Sequence, residues 1–230
     1  MTQQRIAWWA ILLPMTAVVV WSLNIVVTRY VTDFIEPMSI SFYRWLLAWL
    51  LLTPFMLHKT WQQRQLIQQH SLKLAILSAF GMLLYQGLAY SAAHYTTATN
   101  MGLINAFIPI FTIFVGILIL KEFPNRYAVI GSICSFLGLL YVLGQGQFDA
   151  ILNLGQHTGD LLMLLAVFFY AFYGVFLRKW QLALPLMLML YVQVCFALLY
   201  HVPIIVYFGL DPITQDNLLS VAYAGIFPSL

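Results

Sequence analysis

The side chains that could do chemistry in this chain are isolated polar residues within long apolar runs. Arg44 is the cation placed inside such a run, about seven residues after Pro37 and so roughly 10 Å along a helix. A guanidinium at that depth could orient a substrate carboxylate or phosphate. Its long side chain could instead extend outward and pair with Asp33 or Glu36. The sequence leaves both interpretations open.

Other polar and aromatic residues lie on predicted helices where a solute could pass. Asn24 shares a helical face with Trp21, and its amide could bind a substrate or simply join two helices. Tyr90 approaches the outer interface, where aromatic residues occur regardless of function. The stripe of Met and aromatic residues around Gln193 is more typical of core packing. The candidate substrate-binding residues are Trp21, Asn24, Arg44, Gln86, Tyr90, Asn105, Tyr170 and Gln193.

The fourth apolar run carries a stripe of small residues, and Pro109 predicts a kink in it. Close helix packing is the favoured interpretation of this stripe, with Asn105 as its lining member.

No Asp or Glu occurs at mid-membrane depth in any run. His94 and His201 lie toward the outer ends, and we expect both to be interfacial. Because no buried proton relay is evident, the sequence favours exchange or facilitated movement over proton coupling.

The residue types argue against an intramembrane enzyme. The chain has no H-E-x-x-H motif and no paired carboxylates within a run. Cys134 and Cys195 have neither metal-ligand spacing nor a neighbouring histidine, which indicates packing residues. No basic patch suggests nucleic-acid binding. We therefore predict no enzymatic activity, no cofactor, no metal and no nucleic-acid partner.

Eight apolar runs must position the candidate residues. Hydrophobic residues make up 63% of the chain and charged residues 7%, whereas about a quarter of a soluble domain is charged. In lipid, backbone polar groups need internal partners, so the runs are predicted to be helices. The sequence thus predicts an all-α, polytopic helical membrane protein with short connections, the longest being 58–71 and 146–159. The runs lie at about 7–25, 37–57, 72–93, 98–120, 127–145, 160–177, 184–208 and from 217.

Charge asymmetry between the two sets of connections predicts the orientation. Six of the seven carboxylates lie on one face. The other face carries most of the basic residues. Positively charged connections stay in the cytoplasm, so that face and the N-terminus are predicted to be cytoplasmic. This topology suits a bacterial inner membrane. The expected partners are the lipid bilayer and a small-molecule substrate, and a homodimer is possible. Most of the ten Lys and Arg residues lie on that cytoplasmic face: Arg5, Lys59, Arg64, Lys73, Lys121, Arg126, Arg178 and Lys179.

The chain also repeats itself. Residues 21–29 resemble residues 170–178 at an offset of 149, and both segments end in arginine. A unit of five helices has an odd number of spans, so its second copy must be inverted. The predicted units are residues 1–146 and residues 147–230. The second unit ends within its third helix, so we expect this sequence to be a fragment of a longer protein.

Several short motifs follow in a fixed order along these runs. They include W-S-x-N at 21–24, F-Y-R at 42–44, L-K-E at 120–122 and G-D-L-L at 159–162. In this order they resemble the EamA-type branch of the drug/metabolite transporter superfamily. The resemblance implies a ten-span carrier built from two EamA repeats, which exports or takes up small metabolites.

These observations predict a transporter of small polar metabolites, amino acids or related compounds. We expect efflux by alternating access between two inverted repeats, with the candidate residues along the path. A non-transporting membrane subunit or receptor is the alternative, and an intramembrane enzyme is less favoured still.

Overall fold

The computed structural model describes residues 8–143 and 158–229. Every regular element in these two stretches is a helix, and they contain no strand. The predicted boundary between the two units, at residue 146, lies outside the described residues. In chain order the elements are α1 (Trp8–Val31), α2 (Pro37–Gln62), α3 (Arg64–Gln69), α4 (Ser71–Ser78), a π-helical segment (Ala79–Leu84), α5 (Tyr85–Ala93), α6 (Ala98–Asn105), α7 (Ile108–Leu120), α8 (Arg126–Leu143), α9 (Thr158–Trp180), α10 (Leu186–Phe208) and α11 (Gln215–Ile226).

Five helical stretches of the described chain are long and apolar enough to cross a membrane. Their lengths of 23 to 26 residues exceed the roughly 20 residues that a span requires. The prediction of an all-α, polytopic helical membrane protein is confirmed. The five stretches are Pro37–Gln62, Ser71–Ala93 (the third span), Ala98–Leu120 (the fourth span), Thr158–Trp180 and Leu186–Phe208.

Two of these spans are irregular inside the bundle. The third span contains the π-helical segment, which the sequence did not predict. The fourth span is interrupted at residues 106–107, immediately before Pro109. Proline has no N–H to donate to the carbonyl of Asn105, four residues earlier, so the helix cannot continue regularly. The predicted kink at Pro109 is confirmed as a break.

The connection predicted at residues 58–71 is helical. The end of α2, all of α3 and the start of α4 follow one another there with only single residues between them. This stretch contains neither glycine nor proline and is rich in glutamine, a good helix former. The connection is therefore a fixed part of the fold.

The third span lies at the centre of the described helices. Its α4 part packs on α10, its α5 part packs on α2 and α9, and the π-helical segment contacts both α9 and α10. Small side chains allow this close packing, since a Cβ added at Gly81 would lie 2.7 Å from the Tyr173 ring. Whatever α5 presents on its faces is thus enclosed by helices from both parts of the chain.

Gly159 brings the start of α9 against the backbone that joins α5 to α6. A Cβ at Gly159 would lie 2.7 Å from the carbonyl carbon of Tyr95 and 2.8 Å from the amide nitrogen of Thr96. Because these are backbone atoms, they cannot move aside as a flexible side chain could. This contact fixes the position of α9 beside the fourth span.

We expect Gly159→Ala to destabilise the protein by about 1–3 kcal/mol, as overpacking usually does. Gly174→Ala in the same helix is the matched control, because a Cβ there meets nothing within 4 Å. Alanine favours helix over glycine, so the control should unfold at the same or a higher temperature. Thermal unfolding of the purified variants in detergent measures both effects, and equal melting temperatures for the two would refute the close-contact argument.

Candidate functional site

Arg44 is buried at the centre of the candidate site, with 1% of its surface exposed. Its Nε donates to Ser229 Oγ at 2.8 Å, and its Nη1 donates to Gln86 Oε1 at 3.2 Å and to Tyr90 OH at 3.3 Å. Its Nη2 donates to the carbonyl of Pro228 at 3.3 Å. All four acceptors are neutral oxygens, so the guanidinium is hydrogen-bonded but keeps its charge.

No carboxylate of the described chain lies within ion-pair distance of Arg44. Asp33 pairs instead with Arg29 at 2.9 Å. The outward pairing of Arg44 with Asp33 or Glu36, which the sequence left open, is therefore wrong. Within the described chain this buried charge therefore lacks a counter-charge, which is strongly unfavourable.

Regular spacing on α2 and α5 positions the site. Gln86 and Tyr90 are four residues apart and so project from one face of α5. On α2 the next residue, Trp45, lies with its ring centroid 5.1 Å from the guanidinium carbon and donates Nε1–H to the carbonyl of Met82 at 3.1 Å. Met82 belongs to the π-helical segment, so the irregular backbone lies directly beside the buried charge.

Pro228 and Ser229, two and three residues after the end of α11, complete the site. Ser229 Oγ, which accepts from Arg44, itself donates to the carbonyl of Ala224 at 2.7 Å. This bond turns the chain back toward α2. The guanidinium therefore joins the early helices to the end of α11.

Two further candidate residues are buried amides. Gln193 is 1% exposed and Asn24 is 6% exposed. Gln193 Oε1 and Asn24 Oδ1 have no hydrogen-bond partner within the described part of the chain. The backbone carbonyl of Gln193 accepts from Ser78 Oγ at 2.7 Å, which places Gln193 beside the third span, two helical turns before Gln86. Buried acceptors are nearly always paired in proteins, so these two amide oxygens are unusual among the described residues.

Asn105 and Tyr170 come together through Tyr85, which the sequence analysis did not select. The Tyr85 hydroxyl donates to Asn105 Oδ1 at 3.4 Å, and the Tyr85 and Tyr170 rings lie 4.6 Å apart between centroids. Tyr85 precedes Gln86 on the third span, so this group adjoins the Arg44 group. In the sequence, the position of Tyr85 next to the candidate residue Gln86 was the signal that could have identified it.

The structure does not bring Trp21 into these groups. Its side chain is 38% exposed, and no described contact links it to Arg44. Asn24, one turn further along α1, turns its amide inward instead. Binding of a solute by Trp21 stays a prediction.

Two titratable side chains are buried where the sequence placed them near the surface. His201, which we expected at the interface, is fully buried between α10 and α2, 2.7 Å from the carbonyl of Ala197 and 2.9 Å from Ser41 Oγ. Asp160, which the sequence placed on an outer connection, is fully buried at the start of α9. The G-D-L-L motif and the following apolar run were the only signals for Asp160.

Asp160 connects α9 to Thr96, which lies between α5 and α6, and to Asn100 in the first turn of α6. Thr96 Oγ1 and Asn100 Nδ2 both donate to its Oδ1. A pocket of about 360 Å³ opens beside these donors, lined by Arg29, His94, Tyr95, Thr96, Thr97 and Asn100. The described residues contain no group of three His, Cys, Asp or Glu that could hold a metal.

Replacing Thr96 by valine should destabilise the protein by about 1.5–3 kcal/mol, the usual contribution of a hydrogen bond to a charged group. The shape of the side chain is kept, and only the donor to buried Asp160 is lost. Thr99→Val is the matched control, since Thr99 is exposed on α6. Thermal unfolding in detergent compares them. A Thr96→Val protein as stable as the control would show that this bond contributes little.

The model of the EamA-like transporter family matches residues 8–144 and 157–230 of the chain. Among curated relatives, the uncharacterized transporter YyaM of Bacillus subtilis is 24% identical over 151 residues, covering 66% of this chain and 50% of the relative. An uncharacterized transporter of Archaeoglobus fulgidus is 26% identical over 168 residues, covering 72% and 55%. The chain spans about half the length of these relatives.

A protein of known crystal structure shares the fold. It superposes with a TM-score of 0.60 at 17% sequence identity, covering 95% of this chain and 74% of its own. The arrangement of helices described above is therefore one that occurs in a solved protein.

Proposed function

We propose that this chain, which belongs to the EamA-like transporter family, acts in a carrier of small polar metabolites that bear a carboxylate or phosphate. The buried guanidinium of Arg44, whose hydrogen-bond acceptors within the described residues are all neutral, is the observation that carries the proposal. An anion would supply the counter-charge that the described helices lack. Amino acids and related compounds fit this description.

A solute carboxylate would compete for the longest hydrogen bonds of the guanidinium. The contacts to Tyr90 and to the Pro228 carbonyl are both 3.3 Å long. A charge-assisted bond from the same nitrogens to an anion is shorter and roughly twice as strong. Asn24 and Gln193 would accept hydrogen bonds from ammonium or hydroxyl groups of the solute, since their amide oxygens are unpaired in the described chain.

Two inverted repeats, residues 1–146 and residues 147–230, would provide the movement. The family model matches the chain in two segments that correspond closely to these units. The first helix of each unit packs on the third helix of the other, α1 on α11 and α9 on the third span. Such reciprocal packing is what an in-plane pseudo-twofold axis produces, and it supports alternating access.

The same arrangement links solute binding to the relative position of the repeats. Gln86 and Tyr90 belong to the first unit, whereas Pro228 and Ser229 belong to the second. An anion that draws Arg44 away from Pro228 would loosen one contact between the units. We propose export across a bacterial inner membrane, with the N-terminus in the cytoplasm.

Arg44→Ala and Arg44→Lys should both strongly reduce transport of anionic or zwitterionic solutes. Loss of one partner of a buried charge pair costs about 2–5 kcal/mol, so transport below saturation should fall roughly 30-fold or more. Lysine keeps the charge but cannot reproduce the planar, multidentate guanidinium. The protein is expressed from its own gene and reconstituted into proteoliposomes. The assay measures the flux of labelled amino acids and small carboxylates across their membrane.

Arg126→Ala is the control, because Arg126 is an exposed cation at the start of α8, away from the candidate site. Membrane insertion of every variant is compared by a fluorescent C-terminal fusion. Unchanged flux through normally inserted Arg44→Ala would remove Arg44 from the solute site. Solute binding by the wild-type protein without any flux would favour the alternative of a receptor or non-transporting subunit.

A further inference from the structure

A helical elbow joins α2 to the third span at one end of the bundle. We define the elbow as residues 58–73, which comprise the end of α2, all of α3 and the start of α4. Leu66 and Ile67 of α3 pack against a buried cluster that includes Leu74 and Leu188. This packing holds the backbone of the elbow against the bundle.

The elbow carries positive charge that the described chain does not neutralise. No Asp or Glu occurs anywhere between residues 37 and 121. The ion pairs of the described chain lie elsewhere, and Arg178 at the end of α9 is paired with Glu122 at 2.7 Å. The elbow cations, by contrast, have no such partner there. They are Lys59, Arg64 and Lys73.

The exposed Trp61 indicates where these cations lie relative to the membrane. Trp61 is 70% exposed, and the guanidinium carbon of Arg64 lies 4.7 Å from its ring centroid. Tryptophan prefers the membrane–water interface. Phe55, on α2, and Leu72, on α4, are also exposed, as expected of side chains that face acyl chains. These exposed side chains favour a position of the elbow cations at the level of the phospholipid headgroups.

We propose that the elbow is a binding site for the phosphate headgroup of an anionic phospholipid. Arg64 is the principal contact, because a guanidinium binds phosphate oxygens through two parallel N–H donors and this one lies against the Trp61 ring. Lys59 and Lys73 add positive potential, as juxtamembrane basic clusters do toward anionic lipid. The adjacent apolar side chains favour a lipid over a free phosphate ion. This proposal is independent of the solute that the protein carries.

The test compares dioleoyl phosphatidylglycerol with dioleoyl phosphatidylcholine, added to the full chain purified in detergent. Thermal stability and native mass spectrometry both report binding. Phosphatidylglycerol should stabilise the wild type and remain bound, whereas phosphatidylcholine should do so weakly. Arg64→Gln should lower the apparent affinity for phosphatidylglycerol about fivefold, the effect expected of one cation at an anionic surface, and should leave phosphatidylcholine binding unchanged.

Arg178→Gln is the matched control, since it removes one exposed cation that is already paired. It should leave the phosphatidylglycerol response unaltered. Gln is a good helix former, so Arg64→Gln should fold normally, and Lys73→Gln provides a second elbow variant. Equal responses of the wild type to the two lipids, or equal losses in Arg64→Gln and Arg178→Gln, would overturn the proposal. Stabilisation by inorganic phosphate alone to the same extent would assign the elbow to a free anion and overturn the lipid site.

Discussion

The buried charge of Arg44 is the constraint around which the described helices are arranged. A guanidinium away from water must place its N–H groups on acceptors, because each unpaired polar group inside a bundle is costly. Those acceptors come from α5 and from the residues after α11, while the charge itself sits on α2. Three separate parts of the chain must therefore meet at one depth. The absence of a carboxylate among the described neighbours leaves this meeting point positive.

The irregular backbone next to Arg44 is under the same constraint, because its polar groups also need partners within the protein. A helix that deviates from regular geometry releases backbone polar groups, and in lipid these need partners within the protein. The carbonyl of Met82 in the π-helical segment accepts from Trp45, and the carbonyl of Pro228 accepts from Arg44. These two carbonyls are therefore satisfied within the protein, as this requirement demands. Transporters tolerate broken helices in such places, where they line a solute site.

The sequence predicted the spans and the kink at Pro109, because each follows from local chemistry: hydropathy and a missing N–H. It placed Arg44 within an apolar run but left open whether its side chain is buried or extends outward. It did not predict the π-helical segment or the burial of Asp160, since both depend on what packs beside them. Helical spacing placed Trp21 and Asn24 on one face, yet the structure exposes the first side chain and buries the second. Spacing identifies a face within about 60°, whereas neighbouring helices decide which of its edges is enclosed.

Three arginines of this chain differ in how their charge is compensated, because their surroundings differ. Arg178 is exposed and paired with Glu122, so its charge is cancelled where it stands. Arg64 is held over Trp61 with no carboxylate partner in the described chain, so its field acts outward on the membrane surface. Arg44 is enclosed by neutral acceptors, so its field acts inward on whatever enters the bundle. Burial, together with the lack of a carboxylate among the described neighbours, is therefore what distinguishes Arg44 from the two surface arginines.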